Sequence, residues 1–295
     1  MTQIEVYHYD AFTTKPGKGN PAGIILNSEK LTTEDMQAIT KKVGFNECAF
    51  PISSAIADVR IRYFTPGHET PLCGHATMAS MVALIEQKKL PEKEQYTIET
   101  LAGTLSIHVK KIGSHYQIRM EHASPQFVKF NGSKKKLASA LNIEENEIDT
   151  RYPIVYGSTG QWTLCIPIST IESFEKMKPN TATFPTILKE MPKASVHPFS
   201  FKAFNLDADM HARHFSSPYS GTIEDSVTGT ASGVMGAFYA TYVKPYRKEN
   251  YSLIVEQGQE LKRDGRVTVH IQNTNDLKIA ISGTAVFVQT IIIDY

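Results

Sequence analysis

The 295-residue sequence is poor in cysteine, in excess charge and in uninterrupted apolar runs. Its three cysteines, Cys48, Cys73 and Cys165, are an odd number, widely spaced. They form neither a CxxC pair nor a Cys/His spacing typical of a metal site, so a reducing compartment and no resident metal are expected. Lysine and arginine number 31 against 30 acidic residues, a formal net charge of +1. That balance argues against a nucleic-acid partner, and the short run Lys134-Lys135-Lys136 reads as a solvated loop or helix start. Gly17-Lys18-Gly19-Asn20 lacks the spacing of a phosphate loop. The opening Met1-Thr2-Gln3-Ile4-Glu5 has no basic segment followed by an apolar one, so no signal peptide is expected and the reading is cytoplasmic. The longest uncharged stretch, Ser226 to Val243, approaches the ~20 residues of a membrane span. It is interrupted by Ser226, Thr228, Thr230, Ser232 and Thr241 and by glycines, which suits a buried helix of a globular protein and no membrane partner.

What is present is a 41% hydrophobic, 21% charged composition, ordinary for a packed protein of one large or two medium domains. Residues 4–12 alternate as a strand and run into the Gly/Pro/Asn-rich loop 13–21, after which Ala22 to Leu26 is expected to form a short strand. Thr32 or Thr33 can N-cap a helix that Gly44 ends, with Glu34 and Asp35 in the first turn. Glu47 to Ile52 and Val59 to Phe64 are strand-like. The segment 76–87 is apolar nearly all round, which in a helix means burial on every side. Strands resume over 97–109 and 115–120.

Weak internal repetition sets the architecture. Phe64-Thr65-Pro66 leading to Cys73-Gly74-His75 and an apolar helix resembles Phe215-Ser216-Ser217-Pro218 leading to Glu224-Asp225-Ser226 and a second apolar helix over 230–242. Phe50-Pro51-Ile52 resembles Ile166-Pro167-Ile168, and the strand beginning Gly103-Thr104-Leu105 resembles the one beginning Gly265-Arg266-Val267. The expected fold is α+β: two pseudo-repeated halves, each a mixed or antiparallel sheet wrapped around a buried central helix, with a cleft between them. The halves are placed at 1–122 and 123–284, with the last strand, 285–295, returning to pair with the first.

Each buried helix starts at a turn that carries a titratable group, Gly74-His75 in one half and Asp225 before Gly229-Thr230 in the other. Helix N-termini present unpaired N–H groups and a partial positive charge, which suits a small carboxylate. Taken singly, Asp225 reads equally as an N-cap and Gly74 as a tight turn. Glu47 stands at the start of an apolar strand, where desolvation would favour proton shuttling, or where it is merely a solvated strand end. His75 and Cys73 read equally as a satisfied core histidine and a small buried apolar residue.

Six runs together resemble the PhzF family of phenazine biosynthesis-like isomerases, which shares the diaminopimelate epimerase-like fold. They are Gly19-Asn20-Pro21-Ala22-Gly23, Phe45-Asn46-Glu47-Cys48-Ala49-Phe50, Arg62-Tyr63-Phe64-Thr65-Pro66, Cys73-Gly74-His75-Ala76-Thr77, Glu99-Thr100-Leu101-Ala102-Gly103, and Glu224-Asp225-Ser226-Val227-Thr228-Gly229-Thr230-Ala231. The resemblance implies an isomerase that moves a proton on a small carboxylic acid without a cofactor. It implies Glu47 as acid/base, His75 and Asp225 as flanking groups, substrate contacts at Gly74, Cys73, Gly229, Thr230 and Asn20, and a homodimer. Asn46, Cys48 and Ser226 depart from residues common in the family at these places and change the hydrogen bonding around the acidic groups.

Two other readings stand beside it. An amino-acid racemase or epimerase would use Cys73 and a second base; two-thiol chemistry needs a thiol on each face of the α-carbon, and the second half offers Asp225-Ser226 at the place matched to Cys73. A non-catalytic protein binding a small acid would keep the site without turnover.

Overall fold

The computed structural model describes residues 2–295. It is an α+β structure that divides into two compact units: the chain up to Glu121 together with Ser282–Tyr295, and His122–Ile281.

In the first unit, β1 (Gln3–Ala11) pairs antiparallel with β2 (Asn20–Ile24) and with the C-terminal strand β19 (Ala285–Asp294). Strand β2 starts at Asn20, earlier than the expected Ala22, and ends at Ile24, earlier than the expected Leu26. The Ala11–Asn20 and Asp10–Pro21 pairings with β1 recruit the end of the loop, and a proline is tolerated where the ladder needs no donor. Beyond β2 come β3 (Glu47–Ile52, parallel to β2), β4 (Val59–Phe64) with the short β5 (Glu69–Thr70), β6 (Gln95–Thr100, parallel to β4), β7 (Gly103–Ile112) and β8 (His115–Glu121). Helix α1 (Thr33–Val43) begins at Thr32, whose hydroxyl accepts from the Asp35 N–H while the Asp35 carboxylate accepts from the Thr32 N–H, and it ends at Gly44 with φ +75°. That reciprocal box satisfies two of the first-turn donors.

Helix α2 (Gly74–Glu86) is buried at every position from Gly74 to Ile85 and packs on β1, β2, β3, β8 and β19. An apolar surface on all sides leaves it no solvent face, so the sheet curls around it. Two buried tyrosines pin it. Tyr9 of β1 donates to Glu86 Oε2 (2.8 Å) at one end, and Tyr63 of β4 lies 2.6 Å from Thr77 Oγ1 in the first turn. Tyr9 is opposite Ala22, Ala22 is opposite Glu47, and Ala49 is opposite Tyr63, so Glu47 sits on the face of the sheet that lines α2.

The second unit holds β9 (Gln126–Lys129), α3 (Lys134–Leu141), β10 (Val155–Ser158), β11 (Trp162–Pro167), α4 (Glu172–Lys176), α5 (Phe184–Ile187) and β12 (Ser195–Ser200). They are followed by β13 (Met210–Ala212), β14 (His214–Phe215), β15 (Glu224–Asp225), α6 (Gly229–Phe238), β16 (Asn250–Gln257), β17 (Gly265–Gln272) and β18 (Lys278–Gly283), whose last two residues fall in the first unit. The run of three lysines opens α3 behind an N-cap at Ser133. One core joins α3, α4 and α5 to β10–β12 through Leu137, Leu141, Phe174, Phe184, Leu164 and Val196. Helix α6 packs on β10 and β17, is buried except at Thr230, and continues as one wider turn through Tyr239–Val243. Among the described residues no helix is long and apolar enough to cross a membrane.

Candidate active site

Three of the sequence-predicted residues converge in the first unit. Glu47 opens β3, Cys73 is the N-cap residue of α2 and His75 is its second helical residue. The fold brings them together because β3 runs alongside α2, although Glu47 is distant in sequence from the other two. Glu47 Oε2 lies 3.4 Å from His75 Nε2, and Cys73 Sγ lies 3.4 Å from His75 Nδ1. The Glu47 side chain keeps 22% of its exposure against 5% for His75, so the carboxylate is partly desolvated and is not a solvated strand end. Thr77 donates to the Cys73 carbonyl (2.7 Å) while bonded to Tyr63, which fixes the start of α2. Asn20 is fully buried at the start of β2, two residues before Ala22, the partner of Glu47, and therefore on the same face of the sheet. The neighbouring Cys48 is buried on the opposite face, in the core with Val6 and Met36, where burial pushes its thiol up to about 12. It is a packing residue.

The spacing along the chain gave no metal-ligating set. Among the described residues, Glu47, Cys73 and His75 are the one group of three His, Cys or carboxylate side chains whose donor atoms all lie within 4.8 Å of one another. The close pair His211 and His214 separates: His211 bonds Glu256 and Glu260, whereas His214 Nδ1 meets His197 Nδ1 at 3.1 Å.

In the second unit Asp225 is not an N-cap. It lies in β15, opposite His214 of β14, and the N-cap residue of α6 is Thr228. Thr228 Oγ1 donates to Asp225 Oδ2 at 2.6 Å. Gln257 of β16, 1% exposed, clamps this segment: its amide donates to the Asp225 carbonyl (2.7 Å) and to Thr228 Oγ1 (3.3 Å), and its Oε1 accepts from the Thr228 N–H (3.1 Å). Because Gln257 fills the acceptor side of the Thr228 hydroxyl, the hydroxyl proton is aimed at Asp225. Gly229 and Thr230 are the first two residues of α6, where backbone N–H groups have no partner within the helix.

Thr228 and Gln257 were missed from sequence. Thr228 was findable: Cys73 precedes Gly74 as Thr228 precedes Gly229, and both are extended N-cap residues, at φ −139° and −115°. The position matched to Cys73 is thus Thr228, not Asp225-Ser226. Gln257 has no local signal, since it reaches the site by strand pairing.

Comparison with known proteins gives the family. The phenazine biosynthesis-like PhzC-PhzF family profile matches residues 9–290. A Bacillus subtilis (strain 168) protein named an uncharacterized isomerase, YfhB, is 48% identical over 98% of each chain. The trans-2,3-dihydro-3-hydroxyanthranilate isomerase of Pseudomonas aeruginosa is 25% identical over 90% of each. Among solved structures, a Bacillus anthracis PhzF-family protein superposes with TM-score 0.96 at 51% identity over 100% of both chains. A probable proline racemase from Agrobacterium radiobacter K84 shares the fold, with TM-score 0.65 at 11% identity over 99% of this chain and 93% of that one. The chain belongs to the phenazine biosynthesis-like PhzC-PhzF family, whose curated members are named isomerases.

Proposed function

We propose that this protein is an isomerase that shifts a proton within a small unsaturated or amino-bearing carboxylic acid, with Glu47 as the acid/base and no cofactor taking part. The observation that carries the reading is the Glu47–His75 contact, 3.4 Å, at the start of a helix with no solvent face. A partly desolvated carboxylate beside an imidazole can take a proton from carbon and return it to another atom on the same face of the substrate. His75 holds the Glu47 carboxylate in place and shares the proton. The family resemblance adds substrate contacts at Asn20, Cys73, Gly74, Gly229 and Thr230, where Gly74, Gly229 and Thr230 offer helix-start N–H groups suited to a carboxylate, and a second proton-transfer role for Asp225, which Thr228 holds.

The relative named a dihydro-hydroxyanthranilate isomerase makes that acid the first compound to test. A second reading, racemisation of an amino acid, is favoured by Cys73 at a helix N-cap beside His75 and disfavoured by Thr228, a hydroxyl, at the matching N-cap. Incubation in D2O with a panel of cyclic, unsaturated and amino carboxylic acids, read by mass spectrometry and NMR, separates them. The isomerase reading expects deuterium uptake or a shifted double bond in one compound for the wild type and none for Glu47→Gln. Exchange confined to an amino-acid α-carbon and surviving Glu47→Gln overturns it. The family resemblance also supports a cytoplasmic homodimer, which sedimentation of the full chain and cell fractionation test.

A further inference from the structure

We propose that Glu47, Cys73 and His75 form a binding site for a borderline-soft divalent cation of the Zn2+ class, and that occupancy switches the proton-transfer site off. One sulfur, one imidazole and one carboxylate donor suit Zn2+, whereas Mg2+ and Ca2+ prefer oxygen alone. A tetrahedral ion with metal–sulfur and metal–nitrogen bonds of ordinary length holds its donors about 3.3 to 3.6 Å apart. Here His75 Nε2 lies 3.4 Å from Glu47 Oε2 and 3.9 Å from Cys73 Sγ, which sits nearer the other ring nitrogen (3.4 Å to Nδ1), and one donor atom from each residue lies within 4.8 Å of the others. Seating one ion on all three donors therefore needs the Cys73 side chain to turn from the Nδ1 side of the ring toward Nε2.

The site is also shielded and stands on fixed backbone. Cys73 is 7% and His75 4% exposed, both stand at the start of a helix pinned by Tyr63 and Thr77, and Glu47 opens a strand paired on both sides. Three protein donors leave a fourth position for water or for a substrate carboxylate. Binding converts the Cys73 thiol to a metal thiolate and releases its proton to solvent, and the helix N-terminus favours the negative charge this creates. Binding stands on this geometry; the loss of proton transfer rests on the role assigned to Glu47 above, because a Glu47 and His75 that ligate an ion cannot exchange a proton with substrate.

Co2+ added to the reduced full-length protein is the probe. The wild type is expected to show a sulfur-to-cobalt charge-transfer band in the near ultraviolet and the intensified visible bands of a tetrahedral ion, both lost on adding Zn2+. Cys73→Ser is expected to lose the charge-transfer band with an unchanged circular dichroism spectrum, and Cys48→Ser to keep it. Glu47→Gln should weaken Co2+ by about tenfold or more, since loss of even an outer-shell partner costs about 10- to 100-fold. A wild type without the band, or a band that survives Cys73→Ser, overturns the inference. A band together with Zn2+ inhibition of deuterium exchange supports both parts. A band with exchange unaffected by saturating Zn2+ overturns the switch, and exchange without the band overturns the metal site while leaving the isomerase reading intact.

Discussion

Thr228 Oγ1 and Asp225 Oδ2 are 2.6 Å apart, and the hydroxyl is oriented by Gln257 so that it donates to the carboxylate. A donor fixed on one oxygen holds Asp225 in a single orientation. Thr228→Val keeps the shape and removes the donor. Loss of a hydrogen bond to a charged group costs about 1.5 to 3 kcal/mol, so the exchange rate on the responsive acid should fall roughly 10- to 100-fold. Thr228→Ser restores the hydroxyl and should recover most of the rate. A Thr228→Val variant with the wild-type rate would show that the hydrogen bond does not matter, and a loss in Thr228→Ser would show that the methyl packing does. The fall should appear in kcat more than in KM if the orientation of Asp225 serves the proton step.

The residue after Gln257 controls the same clamp through the backbone. Gly258 has φ +96°, and a Cβ there would meet the Arg263 carbonyl oxygen at 2.5 Å and the Ser226 carbonyl oxygen at 2.8 Å. Neither contact is the end of a flexible side chain, so the chain itself must shift. Gly258→Ala is expected to destabilise by at least about 2 kcal/mol, combining the cost of a left-handed backbone with that of overpacking. Urea unfolding reads the loss directly. Movement of Gln257 away from Asp225 should lower exchange further than the fraction unfolded explains, and a variant with wild-type stability would contradict the close approach.

These two sites also mark what the sequence could and could not disclose. Strands β3 and β4 are legible to the residue because alternation and flanking turns agree, and α1 is legible because a Thr/Asp box and a glycine bracket it. The buried character of α2 and α6 follows from apolar residues on all sides. Asn20 and Pro21 look like loop but form strand, since pairing with β1 outweighs their local preference. The Glu47, Cys73 and His75 cluster is invisible to ligand spacing because strand-to-helix packing assembles it. Thr228 is hidden when the repeats are aligned on their titratable residues, His75 and Asp225, because the backbone repeats on its glycines, Gly74 and Gly229. The bonds of His211 to Glu256 and Glu260, and of His197 to His214, depend on strands distant in sequence and leave no local pattern.

These histidines, His197 and His211 buried and His122 and His214 half-buried, shape the pH dependence of stability, and the two kinds act in opposite directions. His122 is half-buried against α6, where a Cβ on Gly233 would come within 2.4 Å of its Nδ1, and it bonds Thr159 at 2.9 Å. Burial pulls its imidazole down to about 4. A histidine depressed in the folded state favours folding above its unfolded value near 6.5 and loses that contribution as pH falls toward 4, a loss of about 3 kcal/mol if His122 acts alone. Burial also lowers His197 and His214, which adds to the same acid lability.

His211 behaves the other way. Its burial alone would lower it, but Glu256 and Glu260 outweigh burial and hold it above its usual value; burial likewise opposes the Glu256 charge, and His211, Asn205 and the Phe204 N–H outweigh it to hold that carboxyl low. The raised His211 stabilises fully below its unfolded value and ceases to as pH rises through its folded one. The lowered Glu256 stabilises above its unfolded value near 4.3 and ceases to as pH falls through its folded one. Stability should therefore be greatest near neutral pH. Melting temperature measured from pH 4 to 9 is expected to fall steeply on the acid side in the wild type and less steeply in His122→Gln, whose amide can still bond Thr159 without a titrating proton. His211→Gln should lower stability at neutral pH and flatten the alkaline decline. An acid limb unchanged by His122→Gln would assign that lability to the His197–His214 pair instead.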